Sequence, residues 1–260
     1  MCTPQLTIQG TGQPFIWLHG MLNSVESDSV YSLIDFDQLA KLVSVVRYNA
    51  CDQSVTGDYC WDAMAQELIR VADEQQYDSM ILGGSSMGSG TAIHAAVKFP
   101  ERVKALILVS PPPAWEMRSG VKKLYQKIAA KADPLKTPDF LKKLIIQNQE
   151  ISYFSEQIHQ DAQQRILDYR LSFHPAYYSS IYNGGAASDL LTRDEIAKIK
   201  VPVLIIAFAD DTNHPLEMAC GLHDLISGSE LIMVSDYGDY QKLQEKVLKF
   251  VGSIVKNNKS

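Results

Sequence analysis

The sequence predicts an α/β fold: a mostly parallel sheet flanked by helices, with a helical segment inserted late in the order. Three observations carry this expectation. Strand-like and helix-like stretches alternate along residues 5–113 and again along 201–260. Residues 103–109 are a near-continuous run of Val, Leu and Ile, the pattern of a parallel strand rather than an alternating one, and 201–208 returns to the sheet. Between about 114 and 200 the composition changes: Lys, Gln, Tyr and Asp increase, helical periodicity dominates and no strand pattern appears. Residues 1–113 and 201–260 are therefore expected to form one core, with 114–200 inserted into it.

In chain order, 5–9 reads as a first strand and Gly10-Thr11-Gly12-Gln13-Pro14 as a turn into a short buried strand at 15–18. Residues 22–40 read as loop and helix, and 42–48 as the next strand. Residues 61–75 form an amphipathic pattern, with Met64, Leu68 and Val71 on one face. The apolar run Met80-Ile81-Leu82 leads into a dense group of Gly and Ser. After it, 91–99 is helical in character and stops at Pro100. Ser110-Pro111-Pro112-Pro113 ends the strand at 103–109. The sheet resumes at 201–208, followed by the turn Ala209-Asp210-Asp211-Thr212-Asn213-His214-Pro215. A last strand is expected at 231–234 and a closing amphipathic helix at 241–255. No internal repeat or low-complexity segment occurs.

With 260 residues the chain can bury a large core, and a net charge of −6 with no basic cluster speaks against nucleic acid or an anionic membrane as partner. The N-terminal residues lack a charged segment followed by an apolar one, and no apolar run approaches bilayer-spanning length. The expectation is a cytoplasmic protein with a small-molecule substrate; oligomeric state is left open. Cys2, Cys51, Cys60 and Cys220 show no metal-ligand or disulfide framework, so reduced thiols are expected. Gly10-Thr11-Gly12 and Gly88-Ser89-Gly90 lack the third glycine of a dinucleotide fingerprint, and no Gly-Lys-Ser/Thr occurs. No cofactor and no metal are expected; Glu156-Gln157-Ile158-His159 has one ligand spacing but no partner motif.

The chemistry concentrates in Gly84-Ser85-Ser86-Met87-Gly88, the only G-x-S-x-G frame, which centres Ser86. A serine lifted on a sharp strand-to-helix turn needs flanking residues without a Cβ, because the backbone there is strained and tightly packed. Ser86 is the candidate nucleophile. On this motif and its strand–turn–helix setting the chain resembles the α/β-hydrolase superfamily from about Pro14 to Val251, most strongly between Asp78 and Pro113.

That resemblance implies further roles. His19-Gly20-Met21 ends the strand at 15–18, where relatives place an oxyanion loop; the N–H of Met21 and that of Met87 are the implied oxyanion donors, with His19 bracing the loop. The insertion at 114–200 becomes a cap over the nucleophile, and Trp115, Tyr153, Phe154, Phe173, Tyr177 and Tyr178 either line its pocket or glue it to the core. The family's acid aligns on Asp211, with Asp210 as neighbour and Phe208 in place of a usual glycine. The family's loop at 49–56 has diverged here.

One family residue is missing. After the last strand relatives carry a Gly-His step, and here the residues are Gly238-Asp239. Serine Oγ is a poor nucleophile until a base takes its proton, so another histidine must serve if the chain turns over. His214 lies three residues after Asp211, at the carboxyl edge of the sheet where ligands of open α/β sheets bind. Pro215 biases it toward extended geometry, and the span from Asp211 allows a reach of up to ~10 Å. Asp211, Asp210 or Asp239 could orient it. His174 in Phe173-His174-Pro175 is the other candidate base, while His94, His159 and His223 read as surface or core residues. The expected function is a serine hydrolase of a small carboxylic ester, thioester or lactone through acyl-Ser86. The alternatives are a catalytically impaired binding protein and a hydrolase of C–C bonds.

Overall fold

The computed structural model describes residues 6–30, 34–50, 57–132, 139, 143 and 160–257. Among them seven strands form one sheet: β1 (Leu6–Gln9), β2 (Pro14–Leu18), β3 (Ser44–Tyr48), β4 (Met80–Ser85), β5 (Val103–Val109), β6 (Val203–Phe208) and β7 (Glu230–Val234). The strand order is β1-β3-β2-β4-β5-β6-β7, and only β1 runs antiparallel to its neighbour.

The helices explain why these strands are apolar almost throughout. Alternate side chains of one strand enter two different cores: Ile16 and Leu18 of β2, Leu82 of β4 and Leu106 of β5 pack on one face, whereas Phe15, Trp17, Ile81 and Ile107 pack on the other. The first face is covered by α3 (Trp61–Glu74), α4 (Met87–Lys98) and α9 (Leu216–Leu225). The second is covered by α2 (Phe36–Leu39) and α10 (Tyr237–Asn257). β4 and β5 sit at the middle of the sheet with parallel partners on both sides, so the loops at their carboxyl ends share one edge.

Several boundaries differ from expectation, among them the start of β6 at Val203 rather than 201. β3 begins at Ser44 rather than 42, because the N–H of Leu42 bonds Leu39 O at 2.8 Å and prolongs the turn after α2. The helix after the glycine-rich turn begins at Met87, directly after Ser86. The closing helix begins at Tyr237, since Asp236 Oδ1 accepts the N–H of Asp239 and starts it four residues early. Gly238-Asp239 is thus a first helical turn.

Between β5 and β6 the described residues are helical: α5 (Arg118–Lys131), α6 (Gln160–Ser172), α7 (Pro175–Ala187) and α8 (Arg193–Ile196), with a short 3₁₀ turn at Trp115–Met117. Phe173, Tyr177, Tyr178, Ile181 and Tyr182 merge into the core on the α3/α4 face. Their rings meet edge to face, as in Phe173–Tyr177 at 4.9 Å and Tyr59–Tyr177 at 5.3 Å. Phe173, Tyr177 and Tyr178 therefore act as glue; Tyr153 and Phe154 lie outside the described residues. Arg118 ties the segment down through the carbonyls of Pro113, Gly185 and Ser188, with its guanidinium 4.7 Å from the Trp61 ring centroid. No helix among the described residues is long and apolar enough to cross a membrane.

One buried charge gives the fold a pH signature. Asp28, in α1 (Val25–Val30), accepts the Trp17 indole N–H at 2.8 Å. Burial pushes its carboxyl up to about 7, against the opposing pull of that bond and of Arg47 and Arg170. The folded state therefore holds a proton there that the unfolded chain has released, and stability falls as pH rises from about 4 to 7. Asp28→Asn keeps an acceptor for Trp17 without the charge. Unfolding free energies from urea melts should separate in favour of the variant by on the order of 4 kcal/mol at pH 7.5 and by far less near pH 4; equal separation at both values would refute the assignment.

Candidate active site

Ser86 stands between the last residue of β4 and the first of α4, at φ 51° and ψ −111°. A non-glycine residue there is strained by about 1–3 kcal/mol and persists only where neighbours fix it. Here the N–H of Ser86 bonds Val109 O at 2.9 Å, its carbonyl accepts the N–H of Gly90 at 3.1 Å, and Ser89 Oγ reaches Gly84 O at 2.7 Å. The flanking glycines are steric requirements. A Cβ on Gly84 would lie 2.4 Å from the carbonyl of Gly88, and one on Gly88 would lie 2.0 Å from Leu18 O.

The turn after β6 supplies the partner groups. Asp211 Oδ1 accepts the N–H groups of Asn213 (3.0 Å) and His214 (3.2 Å), which curls residues 211–214 back on themselves. That curl places His214 Nδ1 2.7 Å from Asp211 Oδ2 and His214 Nε2 2.8 Å from Ser86 Oγ. The carboxylate can only accept from Nδ1–H, so Nε2 presents its lone pair to the serine hydroxyl. Burial alone would raise the Asp211 carboxyl; the hydrogen bond and charge of His214, with the two backbone N–H groups, outweigh it and hold the group below the ordinary carboxylate range. An imidazole so placed can take the hydroxyl proton.

The other sequence candidates fall elsewhere. Asp210 is exposed, and Asp239 accepts the N–H of Ser235 at 3.2 Å and lies 3.9 Å from Lys242 Nζ. Neither meets His214. His174 caps α7, its Nδ1 accepting the N–H of Ala176 at 3.3 Å. His94 bonds Asp189 O at 2.9 Å and His223 bonds Ser229 Oγ at 2.8 Å. His19 is buried and donates from Nδ1 to Gly20 O (2.9 Å) while Nε2 accepts the N–H of Ala50 (3.1 Å). Burial holds it below the ordinary imidazole value, so it stays neutral as a brace between β2 and β3. Cys60 and Cys220 carry free thiols; Cys2, Cys51 and His159 lie outside the described residues.

Among the described residues no hydrogen bond is made by the N–H of Met21 or of Met87. Met87 is the first residue of α4, where such donors point outward and carry the positive end of the helix dipole. Nor does any group of three His, Cys, Asp or Glu side chains among the described residues make a metal site.

Ser110 has no counterpart in the sequence reading. It follows β5 at φ 45°, buried, and its Oγ donates to Asp211 Oδ2 at 3.4 Å. The sequence around it, a serine before three prolines, signals a strand end and nothing more.

A seven-stranded, mostly parallel sheet with a serine on its central strand-to-helix turn, served from the next loops along the edge, defines a fold family. The chain belongs to it: the alpha/beta hydrolase fold family matches residues 13–246. Among individual relatives, it is 28% identical over 258 residues to the AB hydrolase superfamily protein YisY of Bacillus subtilis, covering 92% of this chain and 90% of that one. Among solved structures it is similar to a thermophilic esterase from Thermogutta terrifontis (TM-score 0.81, 19% identity, 96% and 93% covered) and to the enol-lactonase from Burkholderia xenovorans LB400 (TM-score 0.78, 16% identity, 95% and 96% covered).

Packing at the turn yields a stability contrast. Gly88→Ala forces a Cβ against a backbone carbonyl and should destabilise by at least ~2 kcal/mol. Gly252→Ala, in α10 with open space around it, should stabilise by about 0.5–1 kcal/mol. Thermal unfolding of both variants checks the pair; equal effects would refute the steric account.

Proposed function

We propose that the chain is a serine hydrolase acting on a small carboxylic ester, thioester or lactone through an acyl-Ser86 intermediate. The observation that carries this is the continuous chain Asp211 Oδ2···Nδ1 His214 Nε2···Oγ Ser86, with both bonds under 3 Å. His214 Nε2 takes the hydroxyl proton as Ser86 Oγ attacks the substrate carbonyl carbon. Negative charge develops on the carbonyl oxygen, and the N–H groups of Met21 and Met87 receive it. Collapse expels the alkoxide or thiolate, which leaves with the proton from His214. Water then gives a proton to His214 and attacks the acyl carbon, and Ser86 departs with that proton as the free acid leaves. Asp211 keeps the imidazole in the required tautomer and offsets its transient positive charge.

Two things support a turning-over enzyme against a degenerate binding protein. A binding module gains nothing from a serine held in strained backbone, or from a hydroxyl aligned on a lone pair. The fold is also that of solved proteins named as an esterase and an enol-lactonase. Residues 114–200 serve as the cap over Ser86, and the free thiols of Cys60 and Cys220 accord with a reducing, cytoplasmic setting.

Turnover of nitrophenyl acetate and butyrate tests the reading. Ser86→Ala and His214→Ala should each lose about 10⁴–10⁶ in kcat, and Asp211→Asn about 10⁴. His174→Ala and Asp239→Asn should match wild type. A His214→Ala enzyme at full rate would eliminate the assignment of the base.

A further inference from the structure

We infer that Arg170, on the inserted helix α6, is a positioning residue for the oxyanion loop and acts through Asn23. The inference rests on the hydrolase reading for its consequence in turnover, although the contact itself is independent of it.

The loop after β2 is a strained turn. The N–H of Asn23 bonds Gly20 O at 3.1 Å, closing a four-residue turn that contains Met21 and Leu22. Leu22 sits at φ 60°, a conformation that suits glycine and is costly for a buried leucine. Strained turns persist only where something outside them fixes their shape. Here the outside contact is the Asn23 side chain. Its Oδ1 accepts from Arg170 Nη2 at 2.8 Å. Its Nδ2 lies 3.5 Å from the point a Gly20 Cβ would occupy, and Ser85 O and Ser85 Oγ lie 3.5 and 3.6 Å from that same point. The amide and the strand end that leads directly into Ser86 thus both border Gly20, and the amide is held on its other side by the inserted helix.

Arg170 is committed to this contact. Among the described residues the bond to Asn23 is the only hydrogen bond its guanidinium makes, and its Nε is sealed from solvent without a partner. The charged and ionisable groups around it are Asp28, Tyr178 and Tyr182, and no ion pair of Arg170 occurs among the described residues. The residue as a whole is partly buried, and a packing role alone would not call for a guanidinium whose Nε is shut off from water unpaired. Two further bonds make the grip rigid: Tyr169 OH donates to Glu26 Oε2 at 3.3 Å, one residue along α6, and Tyr178 OH donates to the carbonyl of Arg170, joining α6 to α7. Position of the insertion is therefore transmitted to the turn that holds the Met21 N–H.

The test combines hydrogen exchange with kinetics. In Arg170→Met, amide exchange at residues 20–23 should rise about tenfold or more while β4 and β5 keep their protection. kcat on the neutral ester nitrophenyl acetate should fall about tenfold or more with KM changed less than about threefold, because only the transition state needs the oxyanion donor. Arg170→Lys, which keeps a cationic donor, should recover most of both. The double variant Arg170→Met/Asn23→Ala should be no slower than Asn23→Ala alone. Should Arg170→Met fail to fold, Asn23→Ser reads the same link from the loop side. Unchanged exchange at 20–23, or strictly multiplicative kinetic losses, would overturn the proposal. So would an effect confined to KM for esters bearing a carboxylate, which would make Arg170 a binder of substrate anions. If wild type neither hydrolyses esters nor reacts with a fluorophosphonate, the hydrolase reading fails, and hydrogen exchange still decides the Arg170–Asn23 link.

Discussion

The hydrogen bond between His214 and Asp211 is the constraint on which the site depends. Imidazole and carboxylate lie three residues apart in one turn, so their alignment is fixed locally before any long-range packing is considered. The same carboxylate accepts two backbone N–H groups of the turn, and it therefore shapes the loop and orients the ring together. What remains for the tertiary structure is to bring that turn to Ser86. Parallel pairing of β4, β5 and β6 does so, because it sets the carboxyl ends of the three strands side by side. The residues where relatives carry their histidine are the first turn of α10 here, and Asp239 is occupied there with Ser235.

Strain is distributed around this arrangement. Of the five non-glycine residues in left-handed backbone among the described residues, Leu22, Ser86 and Ser110 sit respectively in the loop after β2, at the serine itself and beside Asp211. Each is bound from outside: Leu22 within the turn held through Asn23, Ser86 by Val109 O, and Ser110 by Ile206 O. A site assembled from three strand ends needs sharp departures from each, and glycine could not supply the serine hydroxyls that two of those positions carry.

The sequence makes part of this legible because some signals are local. Alternation of apolar runs and amphipathic stretches gives the sheet and its flanking helices. The G-x-S-x-G spacing gives Ser86 because two glycines are sterically required: a Cβ at either would lie 2.4 or 2.0 Å from backbone atoms. His214 can be picked out because its distance from Asp211 is three residues and its relation to the sheet edge follows from the strand before it. Ser110, Asn23 and Arg170 cannot be picked out, because their partners lie 101 and 147 residues away and no spacing rule connects them. The aromatic residues of the insertion illustrate the same limit: Tyr177 and Tyr178 are fully buried against the core, and composition alone could not separate glue from pocket lining. Boundaries at Ser44 and Tyr237 shift for a related reason, since a turn bond at Leu42 and a cap at Asp236 set them.

At the centre stands the claim that an imidazole from the β6 turn makes the Ser86 hydroxyl reactive. The most direct measurement is the rate at which a fluorophosphonate modifies the protein, with the adduct located by peptide mass. The account predicts rapid, stoichiometric labelling on Ser86 in wild type and loss of that labelling in His214→Ala. Labelling that stays rapid without His214, or that falls on another residue, would contradict it.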